Sequence, residues 1–303
     1  MTPVTVRVPA KINLQLAVGP RRADGYHDLV TVFHAVSLFD EVTVAPAERD
    51  QVTVAGEGAD KVPSDGDNLA LRAVVALRAI AVDAAAGPVN VTILKRIPVA
   101  GGLAGGSADA AAALVACNEL WGTGLTQQQL CAVGAEVGSD VAFAVLGGTA
   151  VGRGRGEQLS PALVSPAQYH WVLAFADGHL STPEVYATLD RQRADASVPP
   201  PDLDATLMGA LRAGDPVRVG KALSNDLQAA ALALFPGLRK TLSAGREFGA
   251  LGALVSGSGP TCLFLARNRE RALDLAVSLS GAGVCRSVLT AAGPVPGAAI
   301  SSR

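Results

Sequence analysis

Aromatic rings are scarce in this chain, at 4% of residues, and so are lysines: Lys11, Lys61, Lys95, Lys221 and Lys240 are the whole set. Few rings leave little surface for stacking a run of bases, and a formal charge of −2 gives no pull on a phosphate backbone. A nucleic-acid partner is therefore not expected. The four cysteines, Cys117, Cys131, Cys262 and Cys285, stand far apart, with no Cys-x-x-Cys pair and no His/Cys metal spacing. Reduced thiols in a cytoplasmic protein are the expectation. No apolar run reaches membrane-spanning length, so no membrane partner is expected. Met-Thr-Pro-Val-Thr-Val-Arg at the start runs directly into a strand pattern, and no signal peptide is expected. What the chain does have is 33 glycines and 49% hydrophobic residues over 303 positions, enough for two domains or one large one.

Four of those glycines, Gly101, Gly102, Gly105 and Gly106, fall within six residues of the stretch 98–112. An apolar run (89–97) precedes them and a helix-forming run (108–121) follows. Glycines admit positive φ and let a backbone approach a ligand closely. Successive N–H groups then point into one concavity, and the start of a helix adds unpaired donors and a partial positive charge. Ser107 can cap that helix or offer its hydroxyl to a ligand. No lysine follows Gly106, so this is not a Walker A loop. Ala104 and Ser107 stand where a dinucleotide fingerprint wants glycine. Two readings stay open, a phosphate cradle and a tight turn that lets a helix pack closely.

Alternation predicts strands at 4–8 and 9–18. Ile12, Leu14 and Leu16 share one face, and Lys11 and Asn13 share the other. That polar pair either lines a cleft or lies on a solvated edge. Asp24-Gly25 marks a turn. Tyr26 and His27, on its exit, are either structural or a surface for stacking a flat ring. Further strands are predicted at 29–38, 41–45, 51–55 and 89–97. Helices are predicted at 68–80 with Asp67 as N-cap and at 126–137 capped by Thr126. Asp140 heads an apolar run, as a cap or as a placed carboxylate. A glycine-spaced loop at 152–157 suggests two domains, 1–157 and 158–303. Beyond it come a strand at 169–175 and a helix opened by Ser181-Thr182-Pro183-Glu184, with Tyr186 one turn in. A linker at 199–201 and helical patterns at 202–212, 216–223 and 237–248 follow. Two short strands then flank a second glycine-serine turn (251–265), and a helix at 269–279 leads to a last strand at 284–289. The final residues read as loose. Interleaved strands and helices give an α+β class.

Three stretches, in order and spanning most of the chain, resemble the motifs of the GHMP kinases, small-molecule kinases for galactose, homoserine, mevalonate and phosphomevalonate. They are Pro9-Ala-Lys11-Ile-Asn13-Leu, the 98–112 loop, and Val255-Ser-Gly-Ser-Gly-Pro-Thr-Cys262. Residues 23–29, 31–33, 138–143 and 152–157 are similar to stretches of members that phosphorylate a cytidylylated methylerythritol. The resemblance implies a two-domain fold, ribosomal-protein-S5-like at the N-terminus and ferredoxin-like at the C-terminus. It implies ATP-dependent phosphorylation of that substrate's 2-hydroxyl, in non-mevalonate isoprenoid synthesis, with Mg²⁺ bridging the phosphates and no carboxylate cage for the metal.

Residue by residue, the resemblance implies Lys11 and Asp140 as the catalytic pair. Pro98, Val99, Ala100, Gly101, Gly102, Leu103, Ala104, Gly105, Gly106, Ser107 and Ala108 form the ATP loop, with Asn68, Lys95 and Asp109 bordering the adenosine. Asn13 and Thr182 contact the acceptor, Tyr26 and Tyr186 sandwich the cytosine, and His27 reads the base edge. Many relatives carry G-x-G-G-G-S in this loop, and Ala104 departs from that pattern, which bears on the path of the loop. A kinase of the homoserine or mevalonate type and a non-catalytic nucleotide-binding regulator are the alternatives, and either a monomer or a homodimer fits.

Overall fold

The computed structural model describes residues 2–81, 86–194 and 197–302. The first two predicted strands are one: β1 (Val4–Arg21) runs antiparallel to β2 (His27–Pro46) across the Asp24-Gly25 turn. Pro9 has no N–H to give the ladder, and the register steps between Pro9 and Ala10 instead of ending there. A second step between Asn13 and Gln15 leaves Lys11 and Asn13 on one face, with the Lys11 Nζ donating to Asn13 Oδ1 at 2.9 Å. Past β3 (Gln51–Gly56) comes α1 (Leu69–Ile80), then β4 (Val89–Lys95), which pairs parallel with β3 and antiparallel with β2. Asn68, not Asp67, caps α1: its side chain accepts from the Ala70 N–H while its amide donates to Pro63 O. An amide can serve both ends of that turn, which a carboxylate cannot.

Helix α2 (Gly105–Trp121) starts three residues before the predicted run, with Ala104 at the cap position in the left-handed region at φ 57°. Ser107 therefore lies inside the first turn and does not cap. Alanines at 108 and 110–113 are all buried, so α2 lies tight against β1, β2 and α1. Enlarging one would overpack the core at about 1–3 kcal/mol. Helix α3 (Gln127–Val137) carries the expected Thr126 cap, completed as a box by Gln129, and α4 (Val141–Leu146) follows. Six residues are too few to show a helical period, which is why α4 was not legible as a helix. The 152–157 stretch is not all loop: β5 (Thr149–Gly154) pairs with β2 and turns back into β6 (Gln158–Pro161).

A second sheet holds the later elements in the order β11-β7-β10-β9, every pairing antiparallel. In chain order they are β7 (Tyr169–Phe175), α5 (Thr182–Gln192), α6 (Ala205–Ala213), α7 (Pro216–Ala222), β8 (Ser224–Asn225), α8 (Gln228–Leu234), α9 (Leu238–Glu247), β9 (Gly252–Val255), β10 (Cys262–Ala266), α10 (Arg269–Gly281) and β11 (Ser287–Gly293). The final residues are not loose. Strand β12 (Ala299–Ser302) returns to the first sheet and pairs with β1. Strand β8 also joins β1, in parallel, so the far half of the chain is stitched to the first strand twice. All four cysteines are free, Cys117 and Cys262 buried and the other two half-buried. The α+β class expected from the interleaving is the one the fold has. Among the described residues no helix is long and apolar enough to cross a membrane.

Candidate active site

A cavity of about 420 Å³ opens where β1, the glycine loop and the Gly257–Gly259 turn meet, with Lys11, Asn13, Asp140, Ser107 and Thr182 on its walls. Lys11 enters from β1 and Asp140 from the start of α4, and Nζ and Oδ2 stand 3.5 Å apart. Asp140 occupies the cap position of α4, yet its side chain makes no cap hydrogen bond, so the carboxylate faces the lysine. The lysine is fixed from below. Its Nζ donates to Asn13 Oδ1, Asn13 Nδ2 donates to Thr31 Oγ1 at 2.7 Å, and Thr31 donates to Gln15 O at 2.7 Å. The Phe33 ring lies 5.4 Å from the ammonium, close enough to favour the charge. Thr31 and Phe33 lie in the family-like stretch 31–33, but sequence reading assigned them no role in the site. Both follow from the β1–β2 register, which sets Asn13 opposite Phe33.

The glycine loop is tied to its neighbours on three sides. The Lys11 N–H donates to Leu103 O at 3.2 Å, and Ser256 Oγ donates to Gly102 O at 3.0 Å. Beneath it, Lys95 Nζ donates to both Asp40 and Asp109 in a cluster almost closed to solvent. Asp40 also accepts the Arg96 and Ile97 N–H groups at 2.5 and 2.8 Å. Burial alone would lower the Lys95 pKa, but Asp109 and Asp40 outweigh it and the net direction is up. Asp109 is pushed up to about 8, chiefly by burial, because a single ammonium serves two carboxylates. Its Oδ1 is buried without a partner.

Two further cavities flank the first. One, of about 220 Å³, shares Leu69, Ala100, Gly105 and Gly106 with it and reaches Asn68, Val99, Lys95 and Asp109. The other, of about 590 Å³, shares Leu29, Ser139, Arg155, Thr182 and Tyr186 with it and reaches Tyr26 and His27. The rings of His27 and Tyr186 lie 5.2 Å apart at 31°, and the guanidinium of Arg155 sits 5.2 Å over the exposed Tyr26 ring. Thr182 Oγ1 hydrogen-bonds Ser258 Oγ at 2.8 Å.

All the expected site residues thus border three joined cavities except Pro98, Leu103 and Ala108, all three of which are buried. Ala104 keeps its place on the cavity wall by taking the left-handed conformation a glycine would take freely. Asp190, 2.7 Å from His27 Nε2, and Asp40 are further residues that sequence reading missed. Each acts from a distant segment and belongs to no local motif. Among the described residues no group of three or more His, Cys, Asp or Glu side chains could hold a metal ion.

The chain can be set against known proteins. The family model for the GHMP kinases N terminal domain matches residues 68–148, and that for GHMP kinases C terminal matches residues 207–285. A 4-diphosphocytidyl-2-C-methyl-D-erythritol kinase from Thermobifida fusca (strain YX) is 58% identical, over 99% of this chain and 98% of that relative. A crystal structure of 4-(cytidine 5'-diphospho)-2C-methyl-D-erythritol kinase superposes with TM-score 0.76 at 32% identity, over 95% of this chain and 98% of the other. A homoserine kinase from Cytophaga hutchinsonii reaches the same TM-score at 19% identity, over 99% and 98% of the two chains, a likeness of fold alone.

Proposed function

The chain belongs to the GHMP kinase family, and from that premise we propose that it transfers the γ-phosphoryl group of ATP to the 2-hydroxyl of 4-diphosphocytidyl-2-C-methyl-D-erythritol, in isoprenoid biosynthesis. The observation that carries the reading is the line of three joined cavities. The Lys11–Asp140 pair stands in the middle one, with stacking rings at one end and the glycine loop leading to a small, mostly apolar recess at the other.

In this reading the triphosphate lies over the loop, where backbone N–H groups and the α2 start face it. The adenine fills the 220 Å³ recess beside Leu69 and Val99. At the other end Tyr26 and Tyr186 hold the cytosine between them and His27 meets its edge. Asn13 and Thr182 contact the methylerythritol part. Asp140 accepts the proton of the 2-hydroxyl as its oxygen bonds to the γ-phosphorus. The bond from that phosphorus to the β–γ bridging oxygen breaks, and ADP leaves with the electron pair. Lys11, held by Asn13, offers positive charge beside the attacking oxygen and the transferring group. Mg²⁺ supplies charge neutralisation between the phosphates when bound. With Asp140 the only acid on the middle cavity's wall among the described residues, the donor set suits an ion carried in by the nucleotide. A homoserine or mevalonate acceptor carries no base, and would leave the His27–Tyr186 end of the cavity unfilled.

Steady-state kinetics with ATP·Mg²⁺ and each of cytidylylated methylerythritol, homoserine and mevalonate test the assignment. Turnover is expected on the first alone. A folded enzyme that ignores it while phosphorylating another alcohol overturns the substrate, and one that phosphorylates none overturns the kinase reading.

A further inference from the structure

His27 is nearly sealed, and its Nε2 is already engaged: Asp190 Oδ1 lies 2.7 Å away. Asp190 sits on α5 four residues beyond Tyr186, so both side chains project from one helix face onto the same cavity. Its other oxygen, Oδ2, lies 3.9 Å from the Nε of Arg21. An ionised carboxylate can only accept, so the proton between the pair resides on His27 Nε2. In the neutral ring Nδ1 is then a bare acceptor. Nδ1 makes no hydrogen bond among the described residues, and His27 lines the cavity.

We infer that Asp190 is a specificity-determining positioning residue: by fixing the proton on His27 Nε2 it presents Nδ1 to the exocyclic amino group of a cytosine and against the carbonyl that uracil carries at the same place. The inference rests on the cytidylylated substrate proposed above. An amino donor meets a lone pair at Nδ1, whereas the uracil carbonyl meets a lone pair with a lone pair. The carboxylate never touches the substrate. It acts by choosing the tautomer of the side chain that does.

Asp190→Asn is nearly isosteric and reverses the choice. The Arg21 Nε–H draws the amide oxygen to its side, so the amide N–H₂ faces His27 Nε2 and requires a lone pair there. The proton moves to Nδ1, which becomes a donor. Two measurements test this. The ¹⁵N shifts of the His27 ring in the neutral form are expected to report Nε2–H in the wild type and Nδ1–H in Asp190→Asn. The ratio of kcat/KM for the cytidylylated substrate over its uridylylated analogue is expected to fall about tenfold or more in the variant, through KM with little change in kcat. Nδ1–H in the wild type, or an unchanged ratio in an active variant, overturns the inference. A wild type that turns over neither substrate removes the reading beneath it instead, a separate outcome from an active enzyme with unaltered discrimination.

Discussion

The Lys11 ammonium has two partners of different kinds. Asn13 at 2.9 Å is a neutral acceptor that sets its direction, and Asp140 at 3.5 Å is a charge that faces it across the cavity. Alternation along β1 put Lys11 and Asn13 on one face, and that much is readable from five residues. Whether the face was a cleft or an edge was not readable, because the answer depends on Asp140, 129 positions further on by difference of the two numbers. Asn in place of Asp140 keeps the size and removes the proton acceptor proposed above. We expect Asp140→Asn to lower kcat about 10²- to 10⁴-fold, the usual worth of a general base, with KM for both substrates nearly unchanged. Single-turnover and steady-state kinetics read the two parameters separately. An undiminished kcat would remove Asp140 from the role of proton acceptor.

The glycine loop was legible as an element because four glycines stand between a strand and a helix. What anchors it was not. Asp40 lies near the far end of β2, where it reads as one more polar residue between strand patterns. It becomes an anchor only when β2 and β4 pair, which places its carboxylate on the Arg96 and Ile97 N–H groups and on Lys95. Lys95 carries the tie onward to Asp109 in the first turns of α2, so both ends of the loop are bound to one buried cluster. The charge of that cluster sets a pH dependence. Burial, the largest effect, raises Asp109 to about 8, with Lys95 opposing it and the Asp40 charge adding to it. Below that value Asp109 mostly holds a proton and the ammonium faces one charged carboxylate. Above it a second negative charge appears under the loop proposed to receive the triphosphate. KM for ATP is therefore expected to rise several-fold between pH 7 and pH 9, and the rise is expected to flatten in Asp109→Asn, whose amide has no proton to lose. Initial rates over a pH series in one salt check it, and an equally steep rise in the variant would assign the titration to another group.

At the scale of the molecule, the two sheets could be foreseen as a succession of strands and helices, and the closure between them could not. Strand β12 spans four residues, too short to show alternation, and its partner β1 begins almost 300 positions earlier. The second closure is at the candidate active site. Ser256 donates to Gly102 O, and the backbone of the second glycine-serine turn packs against the first. A Cβ on Gly102 would lie 2.3 Å from Ser256 O and 3.1 Å from Gly259 O, and its φ of +74° is one that L side chains rarely adopt. Neither atom is a movable side-chain end, so Gly102→Ala must push one half of the molecule from the other or bend the loop. The left-handed backbone alone costs about 1–2 kcal/mol in a non-glycine residue, and the contact adds to it. A fall in Tm of several degrees is expected, together with a rise in KM for ATP, because the backbone proposed to bind the phosphates and the joint between the sheets are the same peptide groups. Gly66→Ala is the matched comparison: its Cβ would meet nothing within 4 Å, and its stability is expected to stay within about 0.5 kcal/mol. Equal Tm and equal ATP kinetics in the two variants would show that the joint yields without cost, and that the loop is held by the Asp40 cluster alone.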